Sequence, residues 1–508
     1  MSSNIEKDQL KRTSPLEMNP KEFRKLGHHL VDQIADFLAD LPQKKVTPGE
    51  KPSTIRKILG DASLSDEGTE PRLLLDEAAG LLFNHSLFNG HPRFLGYITS
   101  SPAPIGVLGD LLASAVNPNV GAWILSPMAS EMEAQTIRWL AEMIGYPDNC
   151  GGVLVSGGNM ANFLGFLAGR KAKAPWDIRS KGFSDGCDKL RVYASKETHT
   201  WIEKATDLFG LGTDAVCWIP AKADQKIDVR ILEQRILEDR EAGYLPVMVV
   251  GAAGTVSTGA IDPLPEIAAV CRKYDLWFHV DGAYGAAAAV LPEASDDLKG
   301  LSEADSVALD PHKWLYSPLE AGCTLVRDAK LLRDAFSYHP EYYHFGGKGQ
   351  EIPTNYYEYG LQNSRGFRAL KVWLALRQVG RNGYIKMIRD DIALAQALYK
   401  AVENHPLLEA LTCNLSVTTF RYVPDDLPKG FDRIESYLNE LNEELLDRLQ
   451  TGGDVFVSNA MVDGKYALRS CIVNFRTSIN DIRSIPRIVA RIGEEVDKET
   501  RPEALKVI

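Results

Sequence analysis

The sequence predicts an α/β protein with a mostly parallel central sheet, an N-terminal helical segment before it and a small α+β domain after it. Three observations carry this. Between about Ser126 and Arg327, short runs rich in Val and Ile alternate with helical stretches, the pattern of parallel βαβ units covered on both faces. The first hundred residues read as helices and connectors, too thin to make a core alone. From about residue 386 onward, helices surround three further strand candidates. The expected divisions are 1–100, 101–385 and 386–508.

Asn19-Pro20-Lys21-Glu22 opens the first helix: Asn caps, Pro takes the first helical position, and Glu reaches back. Phe23, Leu26, Leu30, Ile34, Phe37, Leu38 and Leu41 recur at helical spacing until Pro42 stops the run. A Pro/Lys-rich linker follows from Leu41 to Ser53. The strand candidates of the central sheet are GVLVS (152–156), LRVYAS (190–195), AVCWIPA (215–221), PVMVVGAAG (246–254), LWFHVDG (276–282), SVALDP (306–311) and CTLVRD (323–328). Ligands of such sheets sit at the carboxyl ends of the strands. Residues 345–360 lack periodicity and read as a mobile loop. Asn363 or Ser364 is expected to cap a long helix ending before Gly380. LSVTTFRYV (415–423), DVFVS (454–458) and ALRSCIVNF (467–475) are the strands expected in the last domain.

The chain has 508 residues, 44% hydrophobic and 25% charged, with a formal net charge of -11. Such a chain buries a large core without disulfides or metal. Its acidity argues against nucleic acid as the main partner. Its 7 cysteines are scattered singly and read as free thiols in a reducing compartment. The first residues, MSSNIEKDQLKRTS, have no apolar stretch, and no run approaches a membrane span. A cytoplasmic protein without membrane partners is expected.

Four segments carry chemistry. In SVALDPHKW (306–314) a strand ends, Pro311 forces a turn, and Lys313 stands between His312 and Trp314. Desolvation of a lysine there favours a neutral, nucleophilic amine; the alternative is a lysine that snorkels to water. In HVDGAYG (279–285), Asp281 follows a strand and precedes small residues. A carboxylate so placed can keep a cationic ring nitrogen protonated, or merely end a strand. In GVLVSGGNMANFLGFLAGR (152–170), a strand runs into Gly157-Gly158 and a helix starts near Asn159. Exposed backbone N–H groups and a helix N-terminus favour an anion such as phosphate. The P-loop and dinucleotide fingerprints are absent, which excludes a nicotinamide dehydrogenase of the usual kind. In ASKETHTWIEKA (194–205), His199 follows a strand and is placed to stack on an aromatic cofactor, or to serve structure alone.

Together these segments put a phosphate seat, an imidazole, a carboxylate and a lysine at strand ends of one sheet, in that chain order. Here the sequence resembles the group II pyridoxal-phosphate decarboxylases, which include the aromatic-L-amino-acid, histidine and glutamate decarboxylases. The matches are HPRF (91–94), SP..SE.E (126–133), the His of KETHTW, GTVSTGAID (254–262), HVDGAYG and DPHKW. They span nearly the whole chain. The resemblance implies the pyridoxal-phosphate-dependent transferase fold of aspartate aminotransferase type (fold type I). It also implies a homodimer with the active site at its interface.

By this resemblance Lys313 joins pyridoxal 5′-phosphate covalently, Asp281 pairs with its ring nitrogen, and His199 stacks on the ring. Gly158 and Asn159 hold the phosphate, helped by His312. The family often has Asn where this chain has Asp310. It usually has Thr-Thr where this chain has Thr255-Val256, leaving Thr255 as the hydroxyl near the ring. FSYHPEYYHF (336–345) aligns through Phe336 and Pro340 with the family's catalytic loop and puts its key tyrosine on Tyr342. That tyrosine is assigned to protonating the substrate α-carbon, and relatives with Phe there make aldehydes with oxygen. Tyr342 therefore implies simple decarboxylation to an amine and CO2.

Tyr97, Ile98, Gly121 and Arg469 are the expected substrate contacts. Gly121 stands where a Phe is expected and is read as leaving room for a large ring. No cation suited to a glutamate side chain is evident, so an aromatic L-amino acid is the favoured substrate. The alternatives are a glutamate- or histidine-type decarboxylase, an oxygen-consuming aldehyde synthase, a transaminase, and an inactive scaffold.

Overall fold

The structure is a computed structural model that describes residues 14–182, 189–338, 353–428 and 433–505. Helix α1 (Pro20–Asp40) opens as its sequence predicts: the Asn19 side chain accepts the Lys21 and Glu22 N–H groups. It breaks at Asp40, where Pro42 sits in a short 3-10 turn. Helices α2 (Pro52–Leu59) and α3 (Pro71–Asn84) follow. Only Leu26 of α1 and Ala79 of α3 are fully buried, and Phe37 stacks on Phe83 at 4.5 Å. Helix α4 (Pro104–Val116) is apolar yet leaves Leu108, Leu111 and Leu112 more than half exposed. Helix α5 (Pro127–Met143) leads into the main sheet.

That sheet comprises β1 (Gly151–Val155), β2 (Leu190–Ser195), β3 (Val216–Ile219), β4 (Leu245–Ala252), β5 (Trp277–Asp281), β6 (Ser306–Leu309) and β7 (Gly322–Val326), in the order β1-β7-β6-β5-β4-β2-β3. Each lies on a run picked out from the sequence. Val247, Met248, Val249 and Val250 of β4 are all at most 2% exposed, so both faces of the sheet are covered. Helix α6 (Gly158–Lys173) packs across β5, β6 and β7.

The sheet is mostly parallel, as expected, and one strand is reversed. β7 pairs antiparallel with both β6 and β1, while β2 to β6 pair in parallel. The reason is the connection: residues 310–321 contain no crossover helix, so the chain turns straight back. β1 and β6 therefore still point the same way, on either side of a reversed strand.

Helix α7 (Ala369–Glu403) begins after Arg368, so neither Asn363 nor Ser364 caps it. Asn363 instead lays its carbonyl over Gly121. The helix also does not end at Gly380, which adopts φ 66 as a kink before helical structure resumes. Burial of Tyr384, Ile388, Ala395 and Leu398 continues it. The division expected at 385 thus falls inside this helix. Of the stretch read as a loop, residues 353–360 are ordered into the core: Tyr356 is 2% exposed and the Tyr357 N–H donates to the Gly121 carbonyl.

The second sheet has the order β10-β11-β9-β8, all antiparallel: β8 (Leu408–Asn414), β9 (Val417–Tyr422), β10 (Ser458–Val462) and β11 (Lys465–Cys471). β8 escapes sequence reading because LEALTCN has little β-branched character; it is an edge strand formed by pairing with β9. DVFVS is mostly not a strand. Phe456 makes an isolated bridge to Phe94, and only Ser458 enters β10. Helices Ile434–Gly452 and Ile479–Thr500 cover this sheet.

One buried ion pair ties α5 to β1. Arg365 reaches Glu133 at 2.6 Å, and their side chains are 2% and 0% exposed. Arg365 also donates to the Val120 and Leu154 carbonyls, and Glu133 accepts the Leu154 N–H. Replacing Glu133 by Ala strands a buried guanidinium, and urea unfolding is expected to show a loss of about 3–5 kcal/mol. Glu293→Ala, which breaks the half-exposed pair to Arg389, is expected to leave the unfolding midpoint nearly unchanged in the same assay.

Candidate active site

The carboxyl ends of β1, β2, β5 and β6 open onto one cleft of about 420 Å³. Gly157, Gly158, Asn159, His199, Asp281, His312 and Lys313 all line it, as does Ile98. These come from four separated segments, and the parallel sheet is what brings them together.

At the end of β1, Gly157 adopts φ 133 and α6 starts at Gly158. A Cβ on Gly158 would stand 2.6 Å from Asp310 Oδ2, and one on Gly157 would stand 3.2 Å from His312 Cε1. On the other side, Gly322 at the start of β7 is pressed against the Gly157 backbone. Glycine is required here by close approach and by positive φ, and the N–H groups of the first turn of α6 are left facing the cleft.

At the end of β5, Asp281 Oδ2 accepts the Trp201 indole N–H at 2.8 Å, and Oδ1 accepts the Ala283 N–H at 3.2 Å. Trp201 itself is fully buried. His279, two residues earlier on the same face of β5, is locked between Asn162 Oδ1 and Ser306 Oγ. Complete burial pushes its imidazole down to about 4, so it is a neutral structural ring under the cleft. His199 sits exposed at the cleft mouth, its Nδ1 accepting the Trp201 N–H at 3.2 Å. The atoms packed around it, followed by the Asp281 charge acting the other way, leave its pKa below the usual imidazole value.

Lys313 follows β6 and keeps its side chain 23% exposed, with Nζ 3.3 Å from Asp310 Oδ2. It is thus a paired cation at the cleft wall, less desolvated than its sequence surroundings suggest. Its turn is held from behind. The Trp314 indole donates to Asp391 Oδ2 at 2.9 Å, and the Tyr316 hydroxyl donates to the same oxygen. Trp314 stacks on Tyr284 at 4.9 Å, and Tyr316 holds φ 57.

Four expected site residues do not line the cleft in this chain. Thr255 turns its hydroxyl to Thr258 at 3.1 Å and is buried. Tyr97 is 52% exposed and packs on Phe456. Gly121 is filled by packing: a Cβ there would stand 2.1 Å from the Asn363 carbonyl, so its missing side chain makes room for backbone. Arg469 is 4% exposed and donates to Ser458 Oγ and to the carbonyl of Val256, which does line the cleft. Arg469 and Tyr97 meet at Ser458, which also accepts the Tyr97 N–H. Tyr342 lies outside the described residues.

The model of the pyridoxal-dependent decarboxylase conserved domain matches residues 52–423. The chain belongs to this family. As a family member it is a carboxy-lyase that works with pyridoxal 5′-phosphate. The decarboxylase is similar to an aromatic-L-amino-acid decarboxylase of Bacillus atrophaeus, 34% identical over 95% of this chain and 97% of that one. It is similar to a phenylacetaldehyde synthase of Petunia hybrida, 29% identical over 90% and 91% of the two chains. Among solved structures, Oryza sativa TDC with PLP and tryptamine superposes with a TM-score of 0.86 at 28% identity, over 95% of this chain and 99% of that one.

The cleft fits the cofactor on its own geometry. It offers a glycine cradle at a helix N-terminus for a phosphate, a hydrogen-bonded carboxylate for a ring nitrogen, and a lysine amine lining the same cleft. Trp201 and Asp391 were not singled out in the sequence. Trp201 lies two residues from His199 and was open to discovery there. Asp391 is remote in sequence and carries no local signal.

Asp391 also gives a pH test. Burial raises its carboxyl to about 7, against the hydrogen bonds from Tyr316 and Trp314. Between about pH 4 and 7 the unfolded chain holds this group ionised while the folded chain holds it protonated, so stability falls as pH rises. Relative to Asp391→Asn, the wild-type protein is expected to lose stability by about 1.4 kcal/mol per pH unit across that window. Denaturant titrations at several pH values measure it.

Proposed function

We propose that the enzyme decarboxylates an aromatic L-amino acid, of tyrosine, Dopa or tryptophan type, to its amine and CO2. One observation carries this reading. Among the described residues lining the cleft, Lys313 is the sole lysine or arginine, and Ile98, Met160, Phe163 and Leu319 supply apolar wall. An apolar ring is welcome there, whereas a second carboxylate finds no dedicated cation. The Bacillus atrophaeus relative is named for the same substrate class.

In this reading Lys313 would supply the amine that holds the cofactor in the cleft. Gly158 and Asn159, helped by His312, hold the phosphate. Asp281, fixed by Trp201, keeps the ring nitrogen protonated. When bound, the cofactor supplies a conjugated cationic ring that accepts the electron pair left as CO2 departs. His199, which lines the cleft, would help to hold the ring and to orient the substrate carboxylate. Tyr342 returns a proton to the α-carbon. Arg469 acts from behind the cleft wall, by fixing the Val256 carbonyl. The apolar face of α4, with Leu108, Leu111 and Leu112 exposed, covers a second copy of the chain in a homodimer whose interface borders the cleft.

A second reading is oxygen-dependent aldehyde formation, favoured by similarity to the Petunia hybrida phenylacetaldehyde synthase. Tyr342 supports the simple reaction instead.

A substrate panel is expected to give kcat/KM at least about tenfold higher for tyrosine, Dopa or tryptophan than for histidine or glutamate; a preference for glutamate would overturn the reading. Borohydride trapping is expected to label the peptide containing Lys313, and Lys313→Ala to abolish both labelling and CO2 release. Tyr342→Phe is expected to divert product from amine to aldehyde and peroxide, resolved by chromatography with oxygen-uptake measurement. Leu108→Glu with Leu111→Glu is expected to shift sedimentation from dimer to monomer.

A further inference from the structure

Three aspartates near the carboxyl edge of the main sheet are treated differently by the fold. Asp262, 0% exposed, accepts the Ile227 and Ala252 N–H groups, both at 2.8 Å. Asp281 accepts an indole and a backbone N–H. Asp310 is 2% exposed, and among the described residues no backbone N–H reaches it. Its Oδ1 is buried without any hydrogen-bond partner. Its Oδ2 has Lys313 Nζ at 3.3 Å and His312 Nε2 at 3.8 Å.

The place of this carboxyl is what gives it meaning. Oδ2 is the atom that a Cβ on Gly158 would strike, so Asp310 forms one wall of the glycine cradle at the start of α6. An anion seated in that cradle comes up against a carboxyl group. The cation nearest to the carboxyl is Lys313, and the chemistry of the site takes that same amine for the cofactor. A carboxylate would then be left beside a phosphate with a poorly satisfied shell.

We propose that Asp310 takes up a proton from solvent when the cofactor binds, so that the phosphate meets a neutral carboxylic acid able to donate a hydrogen bond to it. The inference rests on the reading that the Gly157–Gly158 cradle holds the phosphate. No bond between heavy atoms changes; one proton moves from water to the carboxyl. The surroundings of Asp310 favour this. His312 and Lys313 face it from its own turn, Asp281 from β5, His199 from the loop after β2 and the buried thiol of Cys323 from β7. The turn Ser156–Asn159 contributes no titratable side chain. Burial already pushes the Asp310 carboxyl upward despite Lys313 and His312, and a phosphate adds to that push.

The test uses pyridoxine 5′-phosphate, which has no aldehyde to react with Lys313, and compares wild-type apoenzyme with Asp310→Asn. Asparagine offers a donor at every pH. Dissociation constants measured by equilibrium dialysis from about pH 5 to about pH 9 are expected to rise more steeply with pH in the wild type, by up to about tenfold per unit, as one linked proton requires. The variant is expected to bind more tightly than wild type at the alkaline end. Titrations of the phosphate and of the ring nitrogen are common to both proteins and cancel. A second measurement needs no variant: the infrared difference spectrum of wild type, loaded minus free, is expected to show the stretch of a new protonated carboxyl. Parallel pH curves together with no such band would overturn the proposal and leave the cradle reading intact. Failure of either protein to bind pyridoxal 5′-phosphate or pyridoxine 5′-phosphate at any pH would overturn the cradle reading, and the proposal with it.

Discussion

The site depends on holding one short turn rigid where the sheet reverses direction. Between β6 and β7 there is no helix to brace the chain, yet this connection carries Asp310, His312 and Lys313. The bracing comes from behind. Asp391, on the kinked helix α7, binds Trp314 and Tyr316 through a single oxygen. Tyr384 of the same helix donates to the Leu315 carbonyl. Tyr284 stacks on Trp314 and reaches Ser416 Oγ at 2.6 Å, linking the turn to the second sheet. A lysine on so short a loop would otherwise be free to sample many rotamers. Here its neighbours on the C-terminal side are anchored in core, and its remaining freedom points into the cleft.

The reversal has a second consequence. β7 runs back between β1 and β6, so the glycine cradle and the lysine turn are separated by one antiparallel strand. Gly322, at the start of that strand, lies against Gly157 without any side chain between them. The cradle and the turn can therefore close on each other, and Asp310 and His312 reach the α6 N-terminus. A fully parallel sheet would place helices at this junction.

Much of this was legible in the chain. All strands of the main sheet coincide with runs of Val, Ile and aromatic residues, because strands buried on both faces must be apolar throughout. Gly157-Gly158, Asp281 and Lys313 were recognisable because each follows such a run. The second sheet was less readable. β8 has a single buried residue and forms only through its partner, so its composition is uninformative. Gly380 looked like a stop and is a kink, since tertiary packing of Tyr384 and Ile388 outweighs one glycine. Gly121 looked like vacated space and is occupied by the carbonyl of Asn363, a residue distant in sequence.

The amino-acid sequence by itself determined which groups stand at the strand ends, because strand periodicity and glycine turns are local properties. It also determined the family, through short motifs whose residues each answer a chemical need. Tertiary structure alone decided the direction of β7, the anchoring of the lysine turn by Asp391, and the different treatment of three aspartates near the sheet's carboxyl edge. Those outcomes depend on which donors are delivered from remote segments. A carboxyl group is the same in every sequence context; its charge is set by the hydrogen bonds and burial that folding assembles around it.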